Sequence, residues 1–280
     1  MSRKNILLHL IGLITIGLIS CSAMKQKPNN PSEELIQALL SGEDFVADGL
    51  TFNQPIDFDA IFVDRKNKSI YINSELRLSN CTFNEDIIWD RQGGRKLNFL
   101  KDVIFEECEF KKAFTLNDAA FKSQVSIGNC LFRNSLEMQR ISSILKCRID
   151  ENDIGQDLIL QYASFHEDLS LFTNTIGNNA LLQSISVKGK SLFGNLSLNG
   201  SLDMSSSHFH EGLTMNYLSA SKKVLLGSSK FYGSCAILYL KKCQSFDMSN
   251  ALVLGKFQFN AEDENLKPSM TNVTILENNI

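Results

Sequence analysis

Phenylalanine recurs at every eleventh residue, Phe99, Phe110, Phe121 and Phe132, and the same step continues without a gap to Val253. Of the 15 positions so reached, 13 are apolar, the exceptions being Ser143 and Lys242. Such a period constrains architecture more than any local propensity, because it marks one structural unit stacked on copies of itself. Two more columns run in phase. Six residues after each anchor, from Phe105 to Phe259, every side chain is large and apolar, and four residues after it, from Val103 to Phe257, only Ser191 is polar. Two residues before the anchor the side chain is usually small, as at Cys108, Ala119, Cys130, Ala163 and Ser207.

The inward positions therefore come in pairs two apart, which places both side chains on one side of an extended segment. Each pair predicts one short strand, and a helix is excluded because a stripe at 3.6 spacing cannot keep such pairs. Successive pairs are offset by six and then five residues. That is too short for a hairpin but enough to turn a corner. One coil cannot bury its own apolar side chains, so coils stack about 4.8 Å apart and share a core. Like residues 22 apart support a 22-residue coil: Cys108 lies over Cys130, Asn152 over Asn174, and Leu196 over Leu218 and Leu240. The expected fold is an all-β, right-handed parallel β-solenoid with about 22 residues per coil, two 11-residue repeats, spanning 49–260. Whether the coil has four faces or three stays open.

The pairing of a small residue with Phe two positions later, in Cys108-Glu109-Phe110, Ala119-Ala120-Phe121, Cys130-Leu131-Phe132 and Ala163-Ser164-Phe165, resembles the pentapeptide-repeat family. The resemblance covers about three quarters of the chain and implies a right-handed quadrilateral β-helix. The chain departs from the family in alternating five and six residues where the family keeps strict fives.

Upstream, Arg3 and Lys4 precede an apolar run from Ile6 to Ile19, the pattern of an export signal over 1–20 and too short for a comfortable membrane span. Leu18, Ile19, Ser20 and Cys21 resemble the lipobox of bacterial lipoproteins, which implies acylation of Cys21 and anchoring of the chain by lipid. Ser22, where an aspartate would imply retention at the inner membrane, leans toward the outer membrane. Residues 21–31 read as a polar tether. Ser32 is the expected N-cap of a short capping helix over 32–41 within a lead-in that runs to 48, with Glu33 and Glu34 suiting the first turn. Asp64–Lys68 and Asp90–Lys96 are expected protruding loops, and 261–280 a C-terminal cap or tail.

Candidate chemistry is sparse. Cys81, Cys108, Cys130, Cys147 and Cys235 fall on inward positions and read as small buried filler. Cys108 and Cys130 would be neighbours in one column, and export would permit a disulfide. No cysteine pair has the short spacing of a zinc site, so no metal is expected. His166, Lys188 and His210, 22 apart, would share one outward column and form a polar patch; the plainer reading is solvated corner residues. No nucleophile elbow or phosphate loop is present, so neither catalytic residues nor a cofactor are expected.

The formal charge of −3 excludes a strong argument for nucleic acid. Charge does divide along the chain: 99–180 carry 8 basic and 12 acidic residues, 181–259 carry 8 lysines and 3 acids. Lys222, Lys223, Lys230, Lys241, Lys242 and Lys256 suit an anionic lipid or glycan surface, or simply a solvated face. The expectation is a non-enzymatic, lipid-anchored envelope scaffold or interaction protein that meets the membrane through its lipid and an envelope protein or glycan through its faces. The alternative is a carbohydrate-binding or carbohydrate-active β-helix.

Overall fold

Each inward pair forms one short strand, and four such strands close a coil. The structure is a computed structural model that describes residues 30–63, 68–89 and 95–276; the expected export signal, Cys21 and most of the expected tether lie outside the described residues, as do the centres of both expected loops. Face A runs in ten strands from Phe45–Asp48 to Phe257–Ala261, and face B in eight from Thr51–Phe52 to Ser219–Ala220, among the described residues. Face C has ten, from Ile56–Asp57 to Pro268–Ser269, and face D ten, from Ser69–Ile72 to Thr274–Ile275. All neighbours pair in parallel, and Val103, Val125, Cys147 and Leu169 lie in register on face A. The molecule is thus a four-faced parallel β-solenoid whose regular coil takes 22 residues, the separation at which Asn152 bonds Asn174.

Stacking in register places like side chains over one another. Phe52, Phe83, Phe110 and Phe132 form a column of near-parallel rings with centroids 4.4, 4.9 and 4.6 Å apart. Phe114 from face C meets the Phe110 ring edge-on at 4.9 Å. Offset-stacked and edge-on contacts suit the ring quadrupole, so the column adds to simple area burial.

The corners explain the alternating offsets. Every eleventh residue from Glu107 through Asn250 has a left-handed backbone, with φ between 50° and 62°. These residues occupy the A–B and C–D corners, where pairs are offset by five. The B–C and D–A corners, where the offset is six, carry no such residue among the non-glycines described, and one D–A corner uses Gly212 at φ 89°. A non-glycine residue in this region costs roughly 1–2 kcal/mol, and each coil offsets that cost by hydrogen-bonding the strained residue to the next coil. Glu151 N–H donates to the Phe172 carbonyl at 2.7 Å and Thr173 N–H to that of Gly194 at 2.7 Å.

The residue after each left-handed corner points inward. In the A–B corner this column reads Cys81, Cys108, Cys130, Asn152, Asn174, Leu196, Leu218 and Leu240, all buried. The asparagines replace water for the backbone. Asn152 Oδ1 accepts from Cys130 N–H at 3.0 Å, and Asn174 Oδ1 accepts from Asn152 N–H at 2.9 Å and from its Nδ2 at 3.0 Å. Asn152 Nδ2 also donates to the Ile127 carbonyl at 3.0 Å. Ser207 and Ser229 do the same at the C–D corner, where Ser207 N–H donates to Ser229 Oγ at 3.1 Å.

The two irregular coils come first. Ile56 pairs with Ile87 and Ile87 with Phe114, so the first coil advances the chain by 31 positions and the second by 27. The B-to-C spacing is normal in both, which puts both insertions at the C–D corner. The first contains a one-turn helix, Phe58–Ile61, whose N-cap Asp57 accepts from the N–H groups of Asp59 and Ala60. Arg95 in the second pairs with Asp59 at 2.8 Å and donates to the Phe62 carbonyl at 2.9 Å, joining the insertions.

Three boundaries differ from those expected. Helix α1 spans Pro31–Ser41 and its N-cap is Asn30, not Ser32, because Pro31 takes the first helical position, where its missing N–H costs nothing. Ser32 is buried instead, and its hydroxyl bonds the backbone of Gln54 across the first coil. Gly42 ends the helix at φ 78°, a conformation open to glycine. The coil begins at Phe45, before residue 49, since Phe45–Asp48 already pairs with Leu76–Ser79. The segment from 261 is a further partial coil: Pro268–Ser269 pairs with face C and Thr274–Ile275 with face D. Lys242, on an anchor position, is exposed; face B stops there, face A shifts register between Ile237 and Leu240, and Cys243 packs against the core.

Candidate functional site

The D–A corner positions the polar patch. In each regular coil a two-residue face D strand is followed by one outward residue, and backbone bonds stack these residues in order. His166 N–H donates to the Ser143 carbonyl, Lys188 N–H to that of Phe165, and His210 N–H to that of Val187, each at 2.9 Å. His166, Lys188 and His210 thus follow one another along the corner, the histidines about 10 Å apart at two coil spacings. Lys188 and His210 are exposed; His166 is half-buried, its Nδ1 3.3 Å from the Ser143 carbonyl.

Neighbours invisible in the histidine pattern complete the corner. Tyr232 continues the column and stacks on His210, with centroids 4.9 Å apart, and meets His208 edge-on at 6.3 Å. Partial burial, then the charges of Lys230 and His210, hold the His208 imidazole below its ordinary pKa. Four cavities of 200 to 530 Å³ are described, and none is lined by His166, Lys188 or His210. The 200 Å³ cavity lies beside them, between Lys190 and Glu211. No cluster of three metal-ligating side chains occurs among the described residues.

The thiols are poorly suited to chemistry. All six cysteines of the described residues are free, Cys108 and Cys130 included, so the permitted disulfide is not formed. Cys108 and Cys130 are buried and point their sulfurs at carbonyls of their own corner, Cys108 to Glu106 at 3.3 Å and Cys130 to Gly128 at 3.1 Å. Hydrogen bonding to Cys130, with burial, pushes the Cys108 thiol up to about 12, and burial pushes Cys147 up to about 12. Thiols so shifted hold almost no thiolate near neutral pH.

A second aromatic pair stands on the A–B corner. Tyr217 and Tyr239 stack at 4.8 Å while remaining 44% and 49% exposed, and Lys241 Nζ lies 5.3 Å from the Tyr217 ring. Their spacing of one coil was the available signal. No protein-family model matches the chain, and no curated protein or solved structure matches it. Among the described residues, no helix is long and apolar enough to cross a membrane.

Proposed function

We propose that the protein is a non-enzymatic scaffold or interaction protein of the bacterial cell envelope, held at the membrane by lipid on Cys21, with the outer membrane favoured by Ser22. The observation that carries the scaffold reading is the use of the polar residues. Asn152, Asn174, Ser207 and Ser229 are spent on bonding coil to coil, and the outward faces run the length of sheets of eight to ten strands. The likeness to pentapeptide repeats agrees with such a role. A carbohydrate-binding reading is favoured by one observation, the exposed Tyr217–Tyr239 pair, since exposed aromatic rings are common sugar contacts.

Anchoring is tested by labelling cells with radioactive palmitate. The wild-type chain is expected to carry label and to remain with membranes, and Cys21→Ser to lose label and pass to the soluble envelope fraction. Continued labelling of the serine variant would remove the anchoring reading.

A further inference from the structure

Cations are treated differently in the two halves of this solenoid. Seven ion pairs are described, from Lys101 with Asp44 at 2.7 Å to Lys146 with Asp168 at 3.7 Å, and all lie between residues 44 and 168. Beyond residue 168, no lysine pairs with a carboxylate among the described residues. A solenoid turns sequence order into position along its axis, so the +5 balance of 181–259, 8 lysines less 3 acids, becomes a positive C-terminal half.

Six of these eight lysines stand on or beside the D–A and B–C corners, and Lys241 and Lys242 stand on face B. Lys188, Lys190, Lys230 and Lys256 stand on or beside the D–A corner, all exposed, with His208 and His210 between them. Lys190 and Lys256 are three coils apart, about 14 Å at the coil spacing. The four consecutive D–A segments, 186–190, 208–212, 230–234 and 252–256, contain one acid, Glu211. Beside the corner, the outward column of face D continues from Ser186 through His208 and Lys230 to Leu252, and supplies the cation at Lys230.

We propose that the D–A corner of the C-terminal half is a docking ridge for a linear polyanion, an acidic polysaccharide. The inference narrows the partner of the interaction-protein reading and rests on that reading for its biological setting. The cations of the ridge that are charged at neutral pH are all lysine, with no arginine after Arg148. Lysine offers a mobile point charge, where arginine offers a fixed fork for one carboxylate or phosphate. Such a surface suits repeated charge along a chain better than a single pocketed anion. Lys222 and Lys223 lie at the diagonally opposite B–C corner, and Lys241 and Lys242 stack on face B, Lys241 over the Tyr217 ring, so a planar bilayer reaches only one of the two opposed sets. A linear chain can follow either.

The purified full-length chain is tested for binding to sulfated dextran, with neutral dextran and phosphatidylglycerol vesicles in parallel. Sulfated dextran is expected to bind, at least tenfold more weakly at 200 mM than at 50 mM salt, as released counterions require. Joint replacement by Lys188→Glu, Lys190→Glu, Lys230→Glu and Lys256→Glu is expected to weaken it at least tenfold. The same charge change at Lys96, Lys101, Lys111 and Lys112 is expected to cost less than a third of that. The glutamine versions of the ridge variant decide the matter if the glutamate version misfolds by circular dichroism. Equal loss in the ridge and control variants, salt-dependent binding to vesicles without binding to sulfated dextran, or equal binding to neutral dextran would each overturn the ridge. Palmitate labelling is unaffected by any of these outcomes, so failure of the ridge and failure of anchoring are distinguishable.

Discussion

One alanine inserted between Leu158 and Ile159 is expected to destroy cooperative folding of the solenoid. The side-chain period of a strand is two, so a one-residue shift turns Leu160, Ala163 and Phe165, each at most 1% exposed, toward water. If a bulge confined the damage to one coil, the lost burial of Leu160 and Phe165 alone would still cost roughly 3–6 kcal/mol at about 1.5–3 for each large side chain. That is comparable with the whole stability of many domains, about 5–15 kcal/mol. The same alanine placed within 90–94, where the sequence predicts a loop, is expected to change stability by less than about 0.5 kcal/mol, since lengthening a loop costs little. The first two coils, longer than the rest, already tolerate additions at that corner. Urea unfolding followed by near-ultraviolet circular dichroism compares the two insertions. Similar midpoints would contradict the register argument.

Asn152→Ala is expected to destabilise the protein by about 3 kcal/mol, at the high end for a single polar truncation, because buried groups left without partners cost about 1–3 kcal/mol each. Truncation strips the Cys130 N–H, the Ile127 carbonyl and one bond to Asn174 of their partner at once. Leu196, Leu218 and Leu240 occupy the same column without such bonds, so the loss is specific to the asparagine segment. Urea midpoints measure the effect, and hydrogen exchange of the Cys130 amide should quicken. An unchanged midpoint would mean that the ladder contributes no net stability.

The columns that announce the solenoid could be read from Phe99 onward because burial selects for size at every inward position, and Phe110, Phe121, Phe165 and Phe209 are indeed buried to 1% or less. Phe257 and Phe259 belong to the same columns but are half-buried, since only a partial coil follows them. The left-handed corners escaped because backbone hydrogen bonds, not residue type, hold them. Asn129, Asn195 and Asn250 favour that conformation, but Tyr162 and Thr173 occupy it as well. The N-cap moved to Asn30 because proline geometry outweighed the helix signal at Ser32.

At the site, the order of His166, Lys188 and His210 followed from the period alone. The stacking of Tyr232 on His210 did not, since it depends on ring rotamers. The ion-pair asymmetry needed the coil length first. Arg140 meets Asp118 at one C–D corner, and Arg133 reaches Glu109 of the face B strand below it, only because one turn of the coil brings neighbouring coils together. With that length known, the paired and unpaired halves become visible in sequence order.

The central claim is that coils are interchangeable units stacked along one axis, each as long as the step from Asn152 to Asn174. Deleting 169–212, two whole coils, joins Asp168 to Leu213 in the phase that Leu169 occupied. Small-angle scattering of the deletion protein is the direct measurement. The expected result is a folded chain of unchanged cross-section whose long axis is shorter by about 10 Å, two strand spacings. An unfolded chain, or one that shrinks equally in all directions, would contradict the stacked-coil account.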